Sequence, residues 1–254
     1  MRRKRRRYKF EERVYTFPGS REVERIRTGP PLDKEKRGKR KKATPEQVKK
    51  QNEYNRQKQL RRVIKENFTT NDYWITLTYQ RGHVLELEEA VKHRQKFLRI
   101  VRQEYAIRGH TLKWIGRTER GKRGAVHHHL ILNRIADTDI IVSVAWKKIK
   151  ESGRAKMELL YEKGQFKDLA AYITKADDVD ENGDSVTRSN YSRSRNLVIP
   201  EPEIRRTSLK KILFEPEPAP GYYIDKDSIC QGINIVTGRE YLHYIEIRIK
   251  GGGG

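Results

Sequence analysis

The stretch Trp114-Ile115-Gly116-Arg117-Thr118-Glu119-Arg120-Gly121-Lys122-Arg123-Gly124-Ala125-Val126-His127-His128-His129-Leu130-Ile131-Leu132 decides how the chain folds. Two β-prone runs, residues 112–120 and 126–133, flank a short basic loop. Strand alternation places His127, His129 and Ile131 on one face. Val126, His128, Leu130 and Leu132 take the other, which is the expected core face. Two imidazoles two residues apart on a strand can share one metal ion. Glu119 is the candidate third ligand, and register decides whether it reaches. A four-residue loop pairs Glu119 with Val126 and turns the carboxylate away. A three-residue loop, Lys122-Arg123-Gly124, pairs it with His127 and gives Gly124 the left-handed position such loops favour. The second register is the expected one. At this point a chance basic cluster beside a solvated glutamate is an equally good account.

Working outward, Tyr73-Trp74-Ile75-Thr76-Leu77-Thr78-Tyr79 reads as a strand, with Trp74, Thr76 and Thr78 on one face. Residues 86–105 read as a helix on the apolar stripe Ala90, Val91, Phe97, Leu98 and Val101. A further helix is expected over 138–150, a short strand over 157–161 and a helix over 166–176. Upstream, Thr44, Pro45 and Gln47 form a capping box that starts a helix running to Asn67. The order strand, helix, strand, strand, helix, strand, helix implies an α+β fold with a central, mainly antiparallel sheet and packed helices.

Five segments follow from composition. Residues 1–43 are expected to be a basic flexible arm, since they hold Pro18, Gly19, Gly29, Pro30, Pro31 and Gly38 and show no sustained periodicity. Residues 44–67 form the basic helix and 68–200 the main domain. Residues 201–220 are a Pro-rich linker, and 221–254 a terminal hairpin ending in a glycine tail. Asp178-Val179-Asp180-Glu181-Asn182-Gly183 opens like a calcium loop, but Ser189 stands where the final glutamate belongs, so a polar turn is expected.

Charge narrows the function. The 254 residues carry a formal net charge of +23. Residues 1–65 alone hold 25 Lys/Arg against 8 Asp/Glu, a net of +17. A polyanion, nucleic acid, is the expected partner. No apolar run approaches the length of a membrane span, and the basic start lacks the apolar core of a secretory signal. The single cysteine, Cys230, excludes a disulfide framework and a Cys-type zinc site. A reducing cytoplasm is expected. There is no phosphate-binding loop, so helicase action is not expected within this chain.

Leu169-Ala170-Ala171-Tyr172-Ile173-Thr174-Lys175 adds the nucleophile. On a helix, Tyr172 and Lys175 project from one face. A phenol beside an ammonium suits attack on phosphorus, because the ammonium favours the phenolate and neutralises phosphate charge. Taken alone, this is equally an amphipathic helix with a boundary tyrosine.

Together the three stretches resemble the HUH endonucleases, the rolling-circle replication initiators of bacterial plasmids and phages. Trp74-Ile75-Thr76-Leu77-Thr78-Tyr79 matches the first motif, His127 and His129 the His-hydrophobic-His motif, and Tyr172 with Lys175 the Tyr-x-x-Lys motif. His128 departs from the family by filling the usually apolar middle position. The resemblance covers about residues 68–200 and implies an HUH, ferredoxin-like domain. It also implies Mg²⁺ or Mn²⁺ on His127, His129 and Glu119, with Tyr172 and Lys175 catalytic. Single-stranded DNA at a replication origin would be nicked and joined through a 5′-phosphotyrosine, with a host helicase and polymerase as partners. Arg117, Arg120, Lys122 and Arg123 would grip the DNA backbone, with Arg193 and Arg195 as further candidates. Thr76 and Thr78 would shape the site floor. A solvated hairpin tip explains the basic loop equally well. The competing functions are a non-catalytic nucleic-acid-binding protein and a transposase or relaxase of the same superfamily. A two-histidine, one-carboxylate iron site leaves the charge and the Tyr172–Lys175 pair unexplained.

Overall fold

Secondary structure and packing divide the chain into two units, Asn55–Ile199 and the combination of Met1–Tyr54 with Pro200–Gly254. In the computed structural model the described residues are 9–28, 43–83, 85–121, 124–160, 166–175, 191–208 and 216–249. In chain order they form β1 (Phe10–Phe17), β2 (Ser20–Arg27), α1 (Pro45–Asn67), β3 (Tyr73–Tyr79), α2 (Leu87–Ile107), β4 (Trp114–Arg120) and β5 (Val126–Leu132). There follow α3 (Thr138–Lys147), β6 (Ser152–Leu159), α4 (Lys167–Thr174), β7 (Ser192–Arg193), β8 (Glu203–Thr207), β9 (Tyr222–Ile233) and β10 (Glu240–Arg248). The class is α+β, as the element order implied.

The unit Asn55–Ile199 is built on an antiparallel sheet of order β6-β3-β5-β4-β7. Helices cover both of its faces. On one, Ile75, Leu77, Trp114, Leu130 and Leu132 meet Phe97, Leu98, Val101 and Tyr105 of α2 and Val142 and Trp146 of α3. On the other, Ile115 and Ile131 meet Leu60, Val63 and Ile64 of α1 and Ala170 and Ile173 of α4. Sheet faces this dry are stabilised mainly by apolar area removed from water. The helix α1 begins as its cap residues dictate. Thr44 Oγ1 accepts from the Gln47 amide at 3.3 Å, and Gln47 Oε1 accepts from the Thr44 amide at 3.0 Å.

The second unit corrects three expectations. Residues 10–27, expected within a flexible arm, form the hairpin β1–β2. Residues 203–207, expected as linker, form the edge strand β8. The C-terminal hairpin β9–β10 does not stand apart. All five strands make one antiparallel sheet of order β8-β1-β2-β10-β9. The reason is cross-strand charge pairing over a small core. Val23, Leu242 and Tyr244 are its buried apolar centre. Around it, Arg25 Nε meets Glu12 Oε2 at 2.5 Å, Arg27 meets Glu240 at 2.7 Å and Arg21 meets Glu246 at 3.0 Å. Opposite charges on neighbouring strands stabilise a sheet, and here they replace the apolar alternation that would have announced it. The residues 1–8, 29–42, the Asn182-Gly183 turn and the glycine tail lie outside the described residues. Among the described residues, no helix is long and apolar enough to cross a membrane.

Candidate active site

The β4–β5 hairpin sets the geometry. Its register pairs Glu119 with His127 and Arg120 with Val126, which is the expected three-residue connection. The Gly121 amide donates to the Ala125 carbonyl at 2.8 Å, closing the loop. Gly124 has φ of 81°, a left-handed conformation that a side chain would strain. A Cβ on Gly121 would sit 3.1 Å from His127 Cε1, so glycine there leaves room for the imidazole.

Three elements then converge. The donor atoms of Glu119, His127 and His129 all lie within 4.8 Å of one another. Glu119 Oε1 accepts from His127 Nε2 at 2.9 Å and lies 3.3 Å from His129 Nε2. From α4, the Tyr172 hydroxyl donates to the same Glu119 Oε1 at 2.5 Å and lies 2.8 Å from His129 Nε2. From β3, Thr76 and His129 are cross-strand partners, with Thr76 Oγ1 3.2 Å from His129 Nδ1. The Trp74 indole stacks on the His129 ring at 5.1 Å between centroids and 9° between planes, and meets the Tyr172 ring edge-on.

Arg117 ties these parts together. It is 2% exposed. One guanidinium nitrogen sits 3.1 Å from Glu119 Oε2. The other donates to the carbonyls of Tyr172 at 2.8 Å and Lys175 at 3.1 Å. The last carbonyls of a helix lack internal partners and carry partial negative charge, and a buried cation satisfies both needs at the end of α4. Arg117 therefore does not grip DNA from the surface, as the sequence suggested; it braces α4 against the carboxylate. Arg120 is also a brace, donating to the Gly124 carbonyl at 3.1 Å and the Leu85 carbonyl at 3.0 Å.

The electrostatics follow from this crowding. Burial alone would raise the Glu119 carboxyl. The hydrogen bonds from His127, His129 and Tyr172 and the Arg117 charge outweigh it and hold the group well below the usual carboxylate range. Burial, then the hydrogen bond to Glu119 and its charge, push the Tyr172 phenol above its ordinary value despite Arg117. A permanently ionised carboxylate and two imidazoles fit a divalent cation. The same acceptor-rich spot holds the phenol's proton when no cation is bound.

Two sequence expectations need revision. The helix α4 ends at Thr174, and Lys175 follows in extended backbone with φ −50° and ψ 132°. Lys175 is thus beyond the helical face it was expected to share with Tyr172. Lys122 and Arg123 lie outside the described residues. His128 faces away from the centre, fully buried, as alternation required. It lies 2.9 Å from the Tyr79 hydroxyl and 2.8 Å from Thr118 Oγ1. Arg94 Nη1 donates to that same Thr118 oxygen at 3.0 Å. Burial first, and then the Arg94 charge, lower the His128 pKa. This satisfied network explains how a polar side chain occupies the middle position between two candidate ligands.

The roles of Trp74 and Arg117 were not legible beforehand; alternation put Trp74 on the right face but gave no reason to choose it. Thr76 now has a defined task. A ligating histidine is oriented by the partner of its other ring nitrogen, and Thr76 Oγ1 is that partner for His129. Thr76→Val is expected to weaken Mn²⁺ binding by about 10–100-fold, measured by electron paramagnetic resonance of free Mn²⁺, with the unfolding midpoint little changed.

No curated protein and no solved structure matches the chain. The family model for replication-associated proteins of the ORF2 type does match it, over residues 72–177. The matched stretch runs from just before β3 to just past α4 and contains Trp74, Thr76, Arg117, Glu119, His127, His129, Tyr172 and Lys175. Over the segment that builds its candidate active site, the chain is similar to a family of replication-associated proteins.

Proposed function

We propose that the protein is an HUH-type endonuclease and strand transferase that initiates rolling-circle replication. It would cut single-stranded DNA at an origin and hold the 5′ end on Tyr172. The observation that carries this reading is the phenol itself: Tyr172 Oη lies within hydrogen-bonding distance of both Glu119 and His129. A structural tyrosine has no need to sit among three candidate metal ligands.

The chain's own residues account for most of the chemistry. Trp74 and Arg117 fix the Tyr172 ring and its helix. Thr76 orients His129. Glu119, His127 and His129 would hold Mg²⁺ or Mn²⁺, which when bound polarises a non-bridging oxygen of the scissile phosphate and draws off the negative charge that retains the phenol's proton. Tyr172 Oη forms the new bond to phosphorus as the bond to the 3′ oxygen breaks. The phenolic proton is released and the departing 3′ oxygen gains one, so the products are a 5′-phosphotyrosine and a free 3′-OH. That hydroxyl can prime synthesis, and the phosphotyrosine retains the energy for rejoining. Lys175 would neutralise phosphate charge. The chain would work in a bacterial cytoplasm with a host helicase and polymerase.

Incubation with end-labelled single-stranded origin DNA tests this. The expected result is a denaturation-resistant protein–DNA adduct and a matching nick in Mn²⁺, with neither in EDTA. Tight, salt-sensitive binding without an adduct on any origin-like strand would favour a non-catalytic DNA-binding protein.

A further inference from the structure

A cleft of about 580 Å³ opens beside the first residue of β4, lined by Arg102, His110, Trp114, Arg193, Arg195 and Asn196 among others. It is separate from the candidate active site. Trp114 belongs to the α2-facing core, whereas Ile115 belongs to the core under α1 and α4. By alternation Trp114 and Glu119 are on opposite faces of the sheet, and the five-residue separation spans about 17 Å of strand.

Three features of the cleft point to a ligand. First, it is basic: Arg102, Arg193 and Arg195 are exposed and have no carboxylate partner among the described residues. Second, its wall is aromatic. Trp114 is only 9% exposed, and its indole N–H has no hydrogen-bond partner among the described residues. Buried polar hydrogens are normally paired, so this donor is held in reserve at the cleft wall. Third, the arginine-bearing segment is fixed. The Ser194 amide donates to the Trp114 carbonyl at 2.9 Å, and the Trp114 amide donates to Ser194 Oγ at 3.0 Å. Asn196 Nδ2 donates to the Leu112 carbonyl at 3.1 Å. Leu197 anchors the far end in the core. The two arginines are therefore presented two residues apart on a pinned backbone and not on a loose tail.

A row of positive charges beside an aromatic wall with a spare donor fits a nucleotide strand, with phosphates on the arginines and a base against the indole. We propose that this cleft is a second binding site for single-stranded DNA, anchoring a part of the strand that lies away from the cleaved bond. The inference rests on the reading of single-stranded DNA as the substrate. It adds that affinity and cleavage reside on opposite faces of one sheet.

The test uses the full chain carrying Tyr172→Phe, so that binding is read without chemistry. Fluorescence anisotropy would compare a short oligonucleotide of about 6 nucleotides with long ones of about 24, extended to either side of the origin nick. The parent should prefer one long strand. Adding Arg193→Gln and Arg195→Gln, both at exposed positions, should cost about tenfold on that strand and little on the short one. The log–log salt slope should become shallower by about 1.4, two phosphate contacts at about 0.7 each. With Tyr172 intact, single-turnover nicking of saturating short DNA should be unchanged. Equal binding of every length by parent and variant overturns the anchor, as does an equal loss on short and long strands. Absence of an adduct with wild-type protein would instead defeat the nuclease reading, while the length-dependent loss would still report the cleft.

Discussion

Tyr172→Phe will abolish the covalent adduct and lower the nicking rate by about 10⁴-fold or more, the scale seen when a nucleophile is removed. The change deletes one oxygen and keeps the ring that meets Trp74 edge-on at 5.8 Å. It also leaves Arg117 paired with Glu119 and the end of α4, so the helix keeps its cap. Mn²⁺ binding should therefore persist, and should tighten if anything, because Glu119 Oε1 loses the phenol that competes for it. Denaturing gel electrophoresis for the adduct, alongside a Mn²⁺ titration, checks both halves. A variant that still nicks at an appreciable rate would mean that another group attacks phosphorus.

Arg117→Leu carries the second large effect, and it falls on stability. Removing one partner of a buried ion pair leaves the other charge uncompensated and costs about 3–5 kcal/mol. Here the abandoned groups are Glu119 and the terminal carbonyls of α4. The loss should appear as a large fall in the urea midpoint for the unit Asn55–Ile199. Arg117→Lys should recover only part of it, since one ammonium cannot serve a carboxylate and two carbonyls with a planar fork. Near-neutral stability of the leucine variant would refute the bracing role.

The sequence made the β4–β5 hairpin legible because each signal there is local. A period of two sorted the histidines by face, and a glycine in the loop fixed the register that brought Glu119 to His127. The contribution of Arg117 was hidden for the opposite reason. In the sequence it is one of several cations near a turn, and only the docking of α4 buries it. The extent of α4 was misread at Lys175 because nothing in Ile173-Thr174-Lys175 marks where a helix must stop. The sheet of the second unit was missed for a third reason. Glu11-Glu12-Arg13 and Arg21-Glu22-Val23-Glu24-Arg25 look solvated, and the strands that neutralise them lie at the far end of the chain.

That separation has a consequence for synthesis. Residues 20–26 pair with residues 241–247, so the sheet of this unit closes only after nearly the whole chain has left the ribosome. Until then β2 offers one unpaired edge to everything around it. An apolar ribbon in that position would recruit the same ribbon from neighbouring nascent chains. Arg21, Glu22, Glu24, Arg25 and Arg27 make it a poor template for such pairing, since charged edges resist association. The ion pairs that later join the sheet thus have an earlier use: they keep the amino-terminal hairpin solitary while it waits for its partner.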